Sequence, residues 1–373
     1  MNRISFGIIA LLLTCMNSAF GEPVISTTAG SVSANSTITV IGSSFGTRTS
    51  ATPYYFDDFE SYLVGTDALH AGLQDNGYDG QGLPYVRSDR SISGSKSMRM
   101  DYVAGKDSMF PRLGKQGFST TEVYVSMWTY ITHTTGTKPY PVFKLVRGGA
   151  MPTYSGRPGF YETVRHNAAG VVEGTDRGSG NSAGQTTWTQ DILPGGGQDT
   201  GAWHRTEYYY KLSTPGVADG IWQQWVDGVQ NVNLTNDMNR LAGNASTIQY
   251  MMAPFDGNDS YNDSANGIID NSWQIWLDDF YIDTTRARVE IGDASSFTKC
   301  KVKFIQPSTS WNDTSITVNT ELGTFSAGQT VYVYVVDANG VVNTLGYPIL
   351  VGSSTAQLSP IRPMPPIPAI RTP

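Results

Sequence analysis

In this chain, short runs place apolar residues at every second position and end in turn residues. Between positions 54 and 283 they are SKSMRMDYV, EVYVSMWTYI, YPVFKLVR, GFYETVRH, WHRTEYYYKL, GIWQQWVDGVQ and WQIWLDDFYID. A period of two belongs to a strand with one face buried, and runs this short and this many predict a large antiparallel sandwich. Charged residues make up only 15% of the chain, against 40 Gly, 20 Tyr and 8 Trp. That balance suits strands joined by turns and leaves little for long helices.

At 373 residues the chain is long enough for two domains. Residues 23–50 alternate at Ile38, Val40 and Phe45 but supply too few strands for a core of their own. A matching set follows only after position 285, in ARVEIGD, KCKVKFIQ, SITVNTE and VYVYVVDANGVV, with Asn339-Gly340 as a tight turn. The simplest arrangement is a small β-sandwich interrupted by an insertion. PVISTTAGSVSANSTITVIGSSFG, continued much later by ARVEIGD…WNDTSITVNTELGTFSAGQTVYVYVVDANGVV, resembles an IPT/TIG immunoglobulin-like domain split in two. Such domains act as spacers or interaction modules, so the resemblance implies no catalytic residue there.

The inserted run GAWHRTEYYYKLSTPGVADGIWQQWVDGVQ resembles the concanavalin A-like lectin/glucanase jelly roll, in which a WVDG hairpin follows a strand opening on Trp and a basic residue. Laminin-G-like modules, family-16-type glucanases and heparin-lyase-like or alginate-lyase-like enzymes share that fold. The expected fold is therefore all-β, an antiparallel jelly roll (51–285) inserted in an immunoglobulin-like sandwich (22–50 and 286–353). The Pro-rich residues 354–373 form an extended or disordered tail.

Residues 1–21 place Arg3 before the apolar run Ile8–Leu13 and end in Ala19-Phe20-Gly21, a secretory leader pattern. The localisation expected is secreted, cell-surface or periplasmic, with no membrane insertion. Loss of Cys15 with the leader leaves Cys300 in an alternating strand as a structural thiol without an internal partner. A net charge of -7 with no basic stripe argues against nucleic acid, while a local basic groove could still bind an acidic polymer. Oligomeric state is not legible in these features.

FDDFE (56–60) and LDDFY (277–281) nearly repeat each other at the two ends of the insertion. Entry and exit of an inserted domain lie close together, so these segments are expected to pair as its first and last strands. Carboxylates gathered across a sheet need a cation, hydrogen bonds or solvent. Asp57, Glu60 and Asp278 or Asp279 are candidate ligands of a structural calcium ion; the alternative is that they point into water.

His70, His133, His166 and His204 are dispersed and form no zinc motif. The ExDxE strand of glucanases of this fold is missing, which lowers that activity. A polysaccharide lyase needs a cation to neutralise the uronate carboxylate, a base for the C5 proton and an acid for the leaving oxygen. His204 or His166 would be the base, Tyr208 or Tyr210 the acid, and Arg147 or Arg165 the neutraliser. Alternation puts Trp203, Arg205, Glu207, Tyr209 and Lys211 on one face of their strand and His204, Thr206, Tyr208 and Tyr210 on the other, one of them lining a groove. Lys144 and Arg147 fall on opposite faces, as do Arg165 and His166. Lys144 and Arg205 are candidate sugar contacts. Trp222 and Trp225 also fall on opposite faces, Trp225 reading as core and Trp222 as a stacking platform. The resulting expectation is a polysaccharide-binding protein, with a uronate lyase or an adhesive surface protein as alternatives.

Overall fold

The computed structural model describes residues 21–69, 71–73, 83–102, 113–134, 143–150, 158–166, 172–180, 186–191, 201–252, 256–257 and 272–355. Most of the leader and of the Pro-rich tail lies outside them. Among the described residues the strands form four antiparallel sheets, two in each of two sandwiches, and no helix is long and apolar enough to cross a membrane.

The two ends of the chain build one sandwich. Its first sheet runs Ser308–Asn312, Ser315–Asn319, Thr37–Ser43, Val24–Ser31, Ser354–Thr355, and its second Lys303–Gln306, Arg288–Gly292, Thr330–Val336, Tyr347–Leu350. Thr37 pairs with Asn319, Ile38 with Val318 and Val40 with Ile316, so strands more than 270 positions apart are neighbours. Ile38, Val40, Ile316 and Val318 then meet Val289, Ile291, Val331, Val333 and Val335 in one buried cluster. Each buried branched side chain contributes about 1.5–3 kcal/mol, enough in sum to hold a sandwich that neither end could form alone.

The residues between form a jelly-roll sandwich of two larger sheets. The central sheet runs Val229–Asp237, Gly220–Val226, Trp203–Lys211, Glu122–His133, Trp273–Asp283, Ser97–Tyr102, Tyr85–Arg87. Tyr55–Asp57 joins its longest carboxyl-terminal strand, with Asp57 opposite Phe280 and Phe56 opposite Tyr281. FDDFE and LDDFY thus do lie side by side. The distal sheet runs Thr186–Asp191, Val172–Gly180, Gly159–His166, Phe143–Gly149, Ile248–Met252, Gly114–Thr120. Val123, Val125, Met127, Tyr208, Tyr210 and Trp222 of the central sheet pack on Leu145, Val146, Phe160, Ile248 and Met251 of the distal one.

The central sheet is covered on its second face too. Tyr124, Tyr209 and Tyr281 cluster with Ile305, and Trp128 stacks on Phe304 with ring centroids 5.5 Å apart. The polar residues of that face are buried with them: Arg205 Nη1 donates to Glu290 Oε2 at 2.7 Å and Arg288 Nε to Glu290 Oε1 at 2.6 Å. Glu207 accepts from Arg205 and from Tyr124. Burial alone would raise the Glu290 carboxyl, but the charges of Arg205, Arg288 and Lys303 win and hold it far below the usual carboxylate range. Four sheets are therefore stacked, with the terminal sandwich against one side of the insertion and the distal sheet on the other.

Candidate functional site

The strand Trp203–Lys211 offers no groove along its middle. Tyr208 and Tyr210 are 1% and 0% exposed and pack on Phe160 of the distal sheet, with centroids 6.4 and 4.6 Å away. Tyr210 donates to the Gly159 carbonyl at 3.3 Å. The opposite face carries Arg205 into the ion-pair network beneath the terminal sandwich, so this candidate sugar contact is structural. His204, at the start of the strand, is oriented by Asp227, whose carboxylate can only accept the 2.8 Å bond from Nδ1. It stands one sheet away from Arg147 and Arg165, and the set of base, acid and neutraliser expected on one surface is divided between sheets. Trp222 is 0% exposed in the core between the sheets, whereas Trp225 is half-buried on the terminal-sandwich side. Trp222, expected as a stacking platform, is therefore core: the edge of the hairpin does not decide burial, the sheet above it does.

Arg147 belongs to the distal sheet. A β-bulge between Lys144 and Val146 puts the adjacent Leu145 and Val146 both into the core, so simple alternation does not run through this strand. An added Cβ at Gly148 would strike Met251 Sδ at 2.3 Å and Phe160 at 2.8 Å, so position 148 faces the core. Its neighbour Arg147 therefore faces away from it, on the sheet's outer surface. Arg147 pairs with Tyr161 on one side and with Met252 on the other, and Tyr161 pairs in turn with Gly178, itself opposite Trp188. Both Arg147 and Tyr161 are half-buried. Tyr250, opposite Gly149 on the same surface, is 3% exposed. Lys144 lies opposite Thr163, Arg165 opposite Gly174 and His166 opposite Val172. These register positions put Lys144, Arg165 and His166 in the same sheet as Arg147. Tyr161 was not singled out from sequence, although its two-residue spacing from Thr163 and Arg165 in GFYETVRH was visible; what was missing was the strand that lies beside it.

The acidic segments are brought together, but their oxygens are taken. Asp57 accepts from the Tyr55 and Tyr62 hydroxyls and from the Phe59 amide. Glu60 accepts from the Ser95 and Lys96 amides and the Ser95 hydroxyl, and Asp278 from the amides of Ile92, Ser93 and Asp279. Each of these three carboxylates thus accepts three hydrogen bonds from the protein, while Asp279 accepts one from Ser93. Among the described residues no group of three or more His, Cys, Asp or Glu is arranged to hold a metal ion. Asp57 and Asp278 are buried, contrary to an outward alternation into water. Burial, followed by the charge of Asp58, pushes the Asp279 carboxyl up to about 7, against the opposing Ser93 hydrogen bond. Glu321 of the terminal sandwich is pushed up to about 8 by burial and by Asp58, Asp279 and Glu60.

No protein-family model matches the chain, and no curated protein matches it. Among solved structures, it is similar to alginate lyase Aly36B, at 13% identity and a TM-score of 0.47, covering 63% of this chain and 98% of that one. It is also similar to the endo-beta-1,4-glucuronan lyase of the fungus Trichoderma reesei, at 12% identity and a TM-score of 0.40, covering 70% and 96%. A third likeness is to the cellulose induced protein Cip1, at 19% identity and a TM-score of 0.40, covering 62% and 97%.

Proposed function

We propose that the chain binds a uronic-acid-containing polysaccharide along the outer surface of its distal sheet. The observation that carries this reading is the cross-strand pair Arg147–Tyr161, half-buried on the jelly-roll surface turned away from the terminal sandwich. A guanidinium recognises a carboxylate by paired hydrogen bonds, and a phenol beside it gives both a ring face and a hydroxyl to the same sugar. The backbone row Met252–Arg147–Tyr161–Gly178–Trp188 crosses four strand spacings, about 19 Å, long enough to meet several sugar units. The net charge of -7 opposes approach of an acidic polymer at long range, but ionic strength screens it beyond about 8 Å, leaving local contacts to decide.

The same pair favours a second reading, β-elimination. Arg147 would neutralise the uronate carboxylate and so acidify the C5 proton. Tyr161 would take that proton as phenolate; the electron pair forms the C4–C5 double bond as the C4–O bond breaks, and the Tyr161 hydroxyl so formed returns the proton to the departing oxygen.

Retention on immobilised uronate polymers and ultraviolet absorbance from new unsaturated ends test both readings in one preparation. Binding predicts retention of the unaltered protein and about tenfold weaker retention for Arg147→Ala. Elimination adds an absorbance increase that Tyr161→Phe abolishes while retention persists. Absence of retention on every acidic polymer would overturn the proposal.

A further inference from the structure

A cavity of about 190 Å³ lies where the covered face of the central sheet meets the terminal sandwich, bordered by Trp225, Arg286, Arg288, Phe297, Lys303 and Val342. Its charges do not balance. Four cations surround it or back it, namely Arg205, Arg286, Arg288 and Lys303, against the carboxylates Glu207 and Glu290. Arg205 and Arg288 are matched by those two. Lys303 is 5% exposed, and its ammonium makes no hydrogen bond or ion pair with any described residue; it lies 4.7 Å from the centroid of the Phe297 ring. Arg286 is wedged between the Tyr209 and Trp225 rings, and its buried Nε is without a partner. Asp337, which also acts on Arg286, is committed to its own turn by the amides of Asn339 and Val341.

The Lys303 ammonium helps hold Glu290 ionised without bonding to it, which leaves its donors turned to the cavity and free for an anion. The geometry points to a second ligand site here, for one small carboxylate carried on a six-membered ring. The cations take the carboxylate while Phe297 and Val342 take the ring. The space suits a single ring and not a polymer. Burial and the like charge of Arg288 depress the Arg286 guanidinium, which an anion would relieve. The inference does not rest on the polysaccharide reading, since the site is on the other side of the central sheet from Arg147.

Calorimetric titration of the full chain with glucuronate, benzoate and glucose tests it, the two acids separating a sugar acid from an aromatic one. At least one acid should bind while glucose does not, and Lys303→Met should weaken that binding about tenfold or more. Lys303→Met without ligand should melt at about the same temperature, because Arg205 and Arg288 still bond to Glu290, whereas a purely structural lysine would lower it. Arg147→Ala should leave the acid binding that depends on Lys303 unchanged. Absence of binding by both acids, equal binding of glucose, or binding that survives Lys303→Met and disappears with Arg147→Ala would each overturn the site.

Discussion

Asp279 has φ of 46°, inside the left-handed region, and its carboxyl accepts from the Ser93 hydroxyl at 2.7 Å. With its titration near 7 and that of Glu321 near 8, the folded protein keeps protons that the unfolded chain releases at about pH 4. Stability from these groups is therefore greatest at low pH, declines as pH rises through the window from about 4 to 8, and is level above it. Asn tolerates the left-handed backbone and can still accept from Ser93, so Asp279→Asn removes the charge with little else. It should stabilise the protein by about 1–3 kcal/mol at pH near 8.5 and change little at about pH 4. Urea denaturation at the two pH values measures this, and equal effects at both would show that the carboxyl is not held protonated.

At the scale of elements, the crossing between sandwiches is fastened by Arg48. It pairs with buried Asp283 at the end of the last inserted strand and donates to the Ala287 carbonyl at 2.9 Å and to Ser308 Oγ at 3.1 Å. One side chain thus ties the entry segment to the exit segment. Arg48→Met should destabilise by about 3–5 kcal/mol, because the buried Asp283 would lose the partner that offsets its burial. Adding Asp283→Asn should recover part of that loss, and denaturant midpoints of the two variants decide it. Arg48 carries no pattern in the sequence that separates it from a surface arginine. The strands themselves were legible, as was the pairing of FDDFE with LDDFY, because alternation and turns are local. The bulge before Arg147 was not, since Leu145-Val146 reads equally well as ordinary alternation. Alternation also separates the two faces of Trp203–Lys211 without saying what covers either, which is why Arg205, Tyr208, Tyr210 and Trp222 read as groove residues.

On the scale of the whole molecule, the stacking of four sheets makes the polar face of the central sheet an interior. Trp128 belongs to the core of the terminal sandwich although it is carried by the insertion. The two sandwiches should accordingly unfold in one transition, with calorimetric and van't Hoff enthalpies equal. Trp128→Ala should lower that single midpoint, by about 3–5 kcal/mol in stability. Two resolved transitions in the unaltered protein would contradict the shared core. Composition pointed to an all-β chain and the placement of strand runs to two parts, but a shared core between them depends on contacts that no local pattern encodes.

The pairing of Thr37–Ser43 with Ser315–Asn319 sets an order of events during synthesis. Val24–Ser31 and Thr37–Ser43 can pair with each other as they emerge, but the other strands of their sandwich follow only after position 285. The sheets of the jelly roll can assemble meanwhile, and the first-made strands are among the last to be locked in place. During that interval their apolar residues depend on chaperones or on the growing chain itself for shelter.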